Sequence, residues 1–190
     1  SYEEMSYISG EGAKVLHDRC VELAEKYNMP IIAASTFSSN EGTEICNNME
    51  KTIIKSIIKN DNILIVKINK LNNPYMLLKK LNLENIKIGS FNVDQTTVQF
   101  TANKSDRAKI EKILENQNVE VNINSVTKIS IVGSGISNHM EIINKILDLF
   151  STLQEDIVSI DNSACKLSIL FNKIIDTKYL NELHDQLINI

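Results

Sequence analysis

Long hydrophobic runs are missing from this chain, and so are long basic ones. No apolar stretch approaches the roughly 20 residues that a membrane-crossing helix needs. The opening "SYEEMSYISG" has neither the basic start nor the apolar core of a leader peptide. A formal net charge of −4, with no dense run of Lys and Arg, leaves no footprint for a nucleic acid. The expectation is therefore no membrane, no nucleic acid and a cytoplasmic location. Cysteine is scarce as well. Cys20, Cys46 and Cys165 form no C-x-x-C pair and cannot all be bridged, which fits reduced, buried thiols and argues against zinc. His17, His139 and His184 lie on separate segments without a second ligand at helical spacing, so surface or boundary roles are expected of them rather than metal binding. No carboxylate pair, activated nucleophile or oxyanion arrangement can be assembled from the spacing, and no Gly-Lys-Ser/Thr is present.

What remains is the composition of a folded, water-soluble chain: 190 residues, 43% apolar and 23% charged, enough for one ordinary domain or two small ones. Ser1 and Glu4 form a capping-box pattern, so a helix can begin at once. Leu16, Cys20, Leu23 and Tyr27 recur on one helical face until Asn28 and Pro30 end it, and the apolar strand "PIIAAS" follows. So few elements cannot bury themselves, and residues 1–47 read as a piece of something larger.

From Asn62 a pattern appears twice. A strand at 63–68 leads to a helix with Asn73 as N-cap and Pro74 at its first position. Strands at 86–91 and 96–102, a helix at about 106–116 and a strand through Val119, Val121 and Ile123 complete a βαββαβ unit. The second pass starts with "KISIV". Its first helix carries Ile136, Met140, Ile143, Leu147 and Phe150, with Asn138 as N-cap and Glu141 at N3. Strands at 157–160 and at Cys165, Leu167, Ile169 and Phe171 follow, then a helix after Asp176 with Leu180, Leu183 and Leu187. This unit is βαββα and lacks its closing strand. The segment "TIIKSIIK" at 52–59 is a candidate donor, although its isoleucine doublets also suit a short helix. The fold class expected is α+β: two ferredoxin-like units with antiparallel sheets.

Gly133 and Gly135, between the strand "KISIV" and the next helix, match two glycines of G-x-G-x-x-G, but Asn138 takes the third place and no crossover helix follows. The dinucleotide reading fails, and tight turning explains the pair. The loop could still offer amide groups to the carboxylate of a small ligand.

The run from Gly12 to His17, "GAKVLH", together with the Ser-Tyr-x-Glu-Met start and Gly42-Thr43, resembles the last segment of the kinase domain of aspartokinases. "KISIVGSGISNHMEIINKILDLF" is similar to that family's second ACT domain. The resemblance implies four stretches: 1–47 as the end of an α/β amino-acid kinase domain, 48–60 as a linker and donated strand, and 61–126 and 127–190 as two ACT domains. It further implies a parent enzyme that transfers the γ-phosphoryl group of ATP, with Mg²⁺, to the β-carboxylate of aspartate, the entry to lysine, threonine and methionine. The catalytic groups would lie upstream, leaving Lys14 and Val15 as nucleotide contacts. A threonine or lysine effector would meet Asn72, Asn73, Tyr75, Met76, Leu77, Ile86, Lys87 and Asn92, and the ACT units would pair two chains as a homodimer. Departures from the family pattern are Asp18 in place of Pro after His17, Tyr75 and Glu141 in place of glycine at the helix starts, and Lys87 in place of an acidic residue. The alternatives are a free-standing tandem-ACT sensor and a dimerisation module without effector binding.

Overall fold

The computed structural model describes residues 1–13, 15–37, 40–47, 53–69, 73–115 and 119–187. The chain divides into a larger unit, residues 1–60, 129–170 and 175–190, and a smaller one, residues 61–128 and 171–174.

The larger unit begins with helix α1 (Tyr2–Gly10), capped as the sequence predicts: Glu4 N donates to Ser1 Oγ at 3.3 Å, and the Glu4 carboxylate accepts from the Ser1 nitrogen. Helix α2 spans Asp18–Lys26, and strands β1 (Ile31–Ala33) and β2 (Thr43–Ile45) pair antiparallel, Ile31 opposite Ile45. Tyr2, Met5, Val21, Ala24 and Ile45 form their common core. The expected stripe of α2 is corrected here: Cys20 is exposed, and Leu23 and Tyr27 are 50% and 65% exposed. Two apolar stripes repeat at helical spacing on α2, and the smaller one, Val21 and Ala24, is the one that lets α1 approach closely. The expectation of buried thiols holds for Cys165 alone, since Cys46 is partly exposed.

In the smaller unit, the latter part of β3 (Ser56–Asn69) is followed by α3 (Pro74–Leu83), β4 (Ile88–Val93), β5 (Thr97–Asn103), α4 (Arg107–Glu115) and the first part of β6 (Glu120–Val132). The sheet order β4-β5-β3-β6 is that of a ferredoxin-like unit. Strand β3 pairs with β5 from Ile63↔Asn103 to Asn69↔Thr97. Hydrogen bonds from Thr127 to Asp61 and from Asn69 to Glu120 run β3 and β6 antiparallel. Val66, Ile68, Leu77, Leu81, Phe100 and Ile110 lie in the core at 1% exposure or less. Each contributes about 1.5–3 kcal/mol by leaving water. The strands expected at 119–123 and from Lys128 are one strand, because residues 124–127 stay extended instead of turning.

The rest of the larger unit is the end of β6, α5 (Met140–Leu149), β7 (Ile157–Ser163), β8 (Lys166–Phe171) and α6 (Thr177–Leu187). Its sheet reads β3-β6-β8-β7. Residues 56–60 of β3 occupy the place beside β6, and Lys55 N donates to Val132 O at 2.8 Å. Thr52 of "TIIKSIIK" falls outside the described residues. The cap expected of Asn138 is also corrected. A 3₁₀ turn takes up Ile136–Asn138, so α5 starts at Met140, with His139 as an N-cap whose side chain bonds no backbone amide of the first turn. The buried stripe is accordingly Ile142, Ile143 and Ile146, while Met140 is exposed. Strand β8 is buried on both faces, from Leu167 to Phe171.

Candidate functional site

Asn73 is placed at the mouth of α3 by the extended backbone before Pro74, and its Oδ1 accepts from Met76 N at 3.1 Å. Its side-chain oxygen is thus engaged in capping the helix. Tyr75 and Met76, on the first turn, are 71% and 46% exposed, and Lys87 and Asn92 are exposed at either end of β4. Leu77 and Ile86 sit in the core at 1% and 6% exposure, so what they can offer a ligand is their backbone. Asn72 lies outside the described residues, as does Lys14; Val15 is 60% exposed. Hollows of 540 Å³ and 360 Å³ in the smaller unit are bounded by Arg107, Glu111 and Val121 and by Lys80, Glu84 and Lys109, not by the predicted effector residues.

The glycine loop of the larger unit has a definite structural cause. A Cβ on Gly133 would stand 1.8 Å from the carbonyl oxygen of Ile53, so only glycine lets the two backbones pass. Gly135 has φ +70°, the left-handed region. The amide that the loop could offer to a ligand's carboxylate is already used: Ser134 N donates to Glu4 Oε1 at 3.2 Å. The Glu4 carboxylate also accepts from Ser1 Oγ at 2.9 Å. His139 Nδ1 lies 3.0 Å from Glu141 Oε1 at the exposed start of α5.

A second carboxylate of α1's end, Glu11, is buried at 8% exposure. Lys166 Nζ donates to its Oε1 at 2.8 Å and Ser130 Oγ to its Oε2 at 2.7 Å. Ser130 and Ser168 lie 3.2 Å apart, Oγ to Oγ. Sequence reasoning missed Glu11, Lys166 and this serine pair, although a serine at matching places in two apolar strands, "KISIV" and "KLSIL", is a signal that something polar covers that face. Beside α1 a 460 Å³ cavity is bounded by Glu4, Gly42, Thr43, Glu44 and Lys55. Among the described residues no group of three His, Cys, Asp or Glu side chains could hold a metal ion.

A βαββαβ unit and a second whose fourth sheet position is filled from upstream have the fold of a tandem of ACT-type domains. The chain is an aspartokinase homologue. It is 30% identical over 182 residues to the aspartokinase of Rickettsia felis, covering 89% of this chain and 45% of that protein. It is 29% identical to the aspartate kinase of Pseudomonas fluorescens, covering 95% of this chain and 47% of that one. The chain thus spans about half the length of these relatives. Among solved structures, E. coli aspartokinase III superposes with a TM-score of 0.81 in complex with aspartate and ADP (18% identity, 98% of this chain, 46% of that one). Its complex with lysine and aspartate gives 0.74 (19% identity, 98% and 45%). The regulatory subunit of Thermus thermophilus aspartate kinase gives 0.63 (16% identity), covering 70% of this chain and 97% of that one. No family model matches the chain.

Proposed function

We propose that the chain is the amino-acid-sensing regulatory region of an aspartokinase, joined to the last segment of its kinase domain. Residues 1–47 are that segment, 48–60 the linker and donated strand, and 61–126 and 127–190 the two ACT domains. The observation that carries the reading is the similarity to aspartokinases along 89% of the chain, through the N-terminal segment and both ACT units alike. The surface of residues 1–47 supports it. Val15, Leu23, Tyr27, Met29, Ile32 and Phe37 are 50–99% exposed, large apolar side chains that the remainder of a larger domain would cover. No helix among the described residues is long and apolar enough to cross a membrane, and the parent enzyme is read as cytoplasmic and dimeric through its ACT units.

The parent enzyme phosphorylates aspartate with ATP. By the resemblance to aspartokinases, the Mg²⁺ and the phosphate cradle belong to the part of the kinase domain upstream of residues 1–47. The effector is threonine or lysine, bound at Asn72, Asn73, Tyr75, Met76, Leu77, Ile86, Lys87 and Asn92. Lys87 favours the neutral one, because a second ammonium would meet a like charge. A second reading, a dimerisation module with no effector, draws on Tyr75 and Glu141 in place of glycine at the helix starts and on Lys87 in place of an acidic residue. The test is a coupled assay with ATP, Mg²⁺ and aspartate. The chain alone should match the blank, and the enzyme that carries it should turn over aspartate and be inhibited by threonine or lysine. Turnover by the chain alone, or an enzyme that neither amino acid affects, overturns the proposal.

A further inference from the structure

Helix α1 presents two faces. Tyr2 and Met5 join the core with α2 and β2, whereas Glu4, Tyr7 and Glu11, spaced three and four apart, line the side that meets β6 and β8. Side chains of successive strand residues point to opposite faces, so Ser130 and Ser168 stand on one face of the sheet and Ile129, Ile131, Leu167 and Ile169 on the other. Both oxygens of Glu11 are taken, one by Lys166 and one by Ser130. Lys166 Nζ also lies 5.4 Å from the centre of the Tyr7 ring, one helical turn back. Asn60 Nδ2 donates to Glu11 O at 3.4 Å. Ser130 and Ser168 are 1% and 2% exposed.

Burying an ion pair in this way is a poor route to stability, since desolvation offsets the attraction and apolar side chains of the same volume would pack as well. Its gain is geometric. A carboxylate fixed by two donors from two adjacent strands holds α1 in one register on that sheet, where an apolar contact would tolerate sliding. Glu11 is the C-cap of α1, and Gly12 begins the run "GAKVLH". At the other end of the helix, Glu4 grips the amide of Ser134 in the loop that leads to α5.

We propose that Glu11, Lys166 and Ser130 are positioning residues. They form a clamp through which the sheet of the second ACT domain sets the segment after α1, and with it the nucleotide affinity of the kinase. The proposal rests on the regulatory reading above. A displacement of β6 against β8 pulls the two donors apart, and Glu11 transmits that change across one peptide to residues 12–17. Glu4 ties the loop before α5 to the same helix, so a ligand acting on either ACT strand or loop reaches the nucleotide segment through α1.

The test uses the enzyme that carries this chain, with Lys166→Met, Lys166→Arg and the exchange Glu11→Lys with Lys166→Glu. Lys166→Met should raise KM for ATP about fivefold or more and weaken inhibition by the effector similarly, with KM for aspartate unmoved. Lys166→Arg should behave as the wild type, and the exchange should recover part of the loss. A folded Lys166→Met enzyme with the wild-type KM for ATP and the wild-type inhibition overturns the proposal. Should that variant fail to fold, Ser130→Ala, which removes the hydrogen bonds to Glu11 and Ser168 but no charge, must still shift KM for ATP about twofold or more; no shift overturns the clamp. If the wild-type enzyme does not phosphorylate aspartate, the regulatory reading falls, and hydrogen exchange on this chain decides the clamp by itself. Faster exchange of the amides of residues 5–13 in Lys166→Met supports it, and equal exchange overturns it.

Discussion

Replacing Gly133 by alanine places a methyl group 1.8 Å from the Ile53 carbonyl oxygen and 2.9 Å from Ile54 Cα. The obstacle is backbone, so no side chain can swing aside, and the segment 53–60 has to move off β6. That movement removes the hydrogen bond from Lys55 N to Val132 O, a net loss of about 1 kcal/mol. It also loosens Ile54 and Ile58, now 4% and 9% exposed, each worth about 1.5–3 kcal/mol when fully buried. Partial loss of both gives a destabilisation of about 2–4 kcal/mol, within the upper range for forced overpacking. Gly135→Ala is the internal control. Its nearest neighbour is Asn138 Nδ2 at 3.9 Å, so it costs only the left-handed backbone, about 1–2 kcal/mol. Urea denaturation of the two variants should rank Gly133→Ala as the more damaging, with rapid hydrogen exchange at the Lys55 amide. Equal midpoints, or Gly133→Ala the milder, would refute the close-approach explanation of the glycine pair.

Three further outcomes follow from single contacts. Asn73→Ala removes the oxygen that accepts from Met76 N and should cost about 1 kcal/mol in urea denaturation, with Asn73→Asp nearly neutral. Glu4→Ala leaves the Ser134 amide without its acceptor and should cost about 1–3 kcal/mol in urea denaturation; an unchanged midpoint would contradict that contact. Under native conditions a thiol reagent should label the exposed Cys20 first. Cys165, buried and with its thiol pushed up by burial, should react only on unfolding, which peptide mass spectrometry resolves.

The parts of the fold legible in the sequence were those with local signals. Ser1 with Glu4, and Asn73 with Pro74, mark helix starts through their own hydrogen-bonding chemistry, and both starts stand where the pattern puts them. Periodicity failed where two stripes competed, as on α2, because which stripe is covered depends on what packs there and not on the helix itself. On β8 the alternating stripe Cys165, Leu167, Ile169 and Phe171 is buried as read, but periodicity gave no sign that the second face is also covered, by α1 from far along the chain. The candidate site was less legible. Leu77 and Ile86 answer to the core pattern and were read as contacts only through resemblance. Glu11 pairs with Lys166 across 155 positions, a distance at which spacing carries no information.

Sensing of an amino acid by this chain is tested most directly by calorimetric titration of the purified protein with threonine and with lysine, in parallel with Asn73→Ala. Saturable binding of at least one of them is expected, tighter for threonine because Lys87 opposes a second ammonium, and weaker in Asn73→Ala. No saturable heat from either amino acid, or lysine binding about tenfold tighter than threonine, would contradict it.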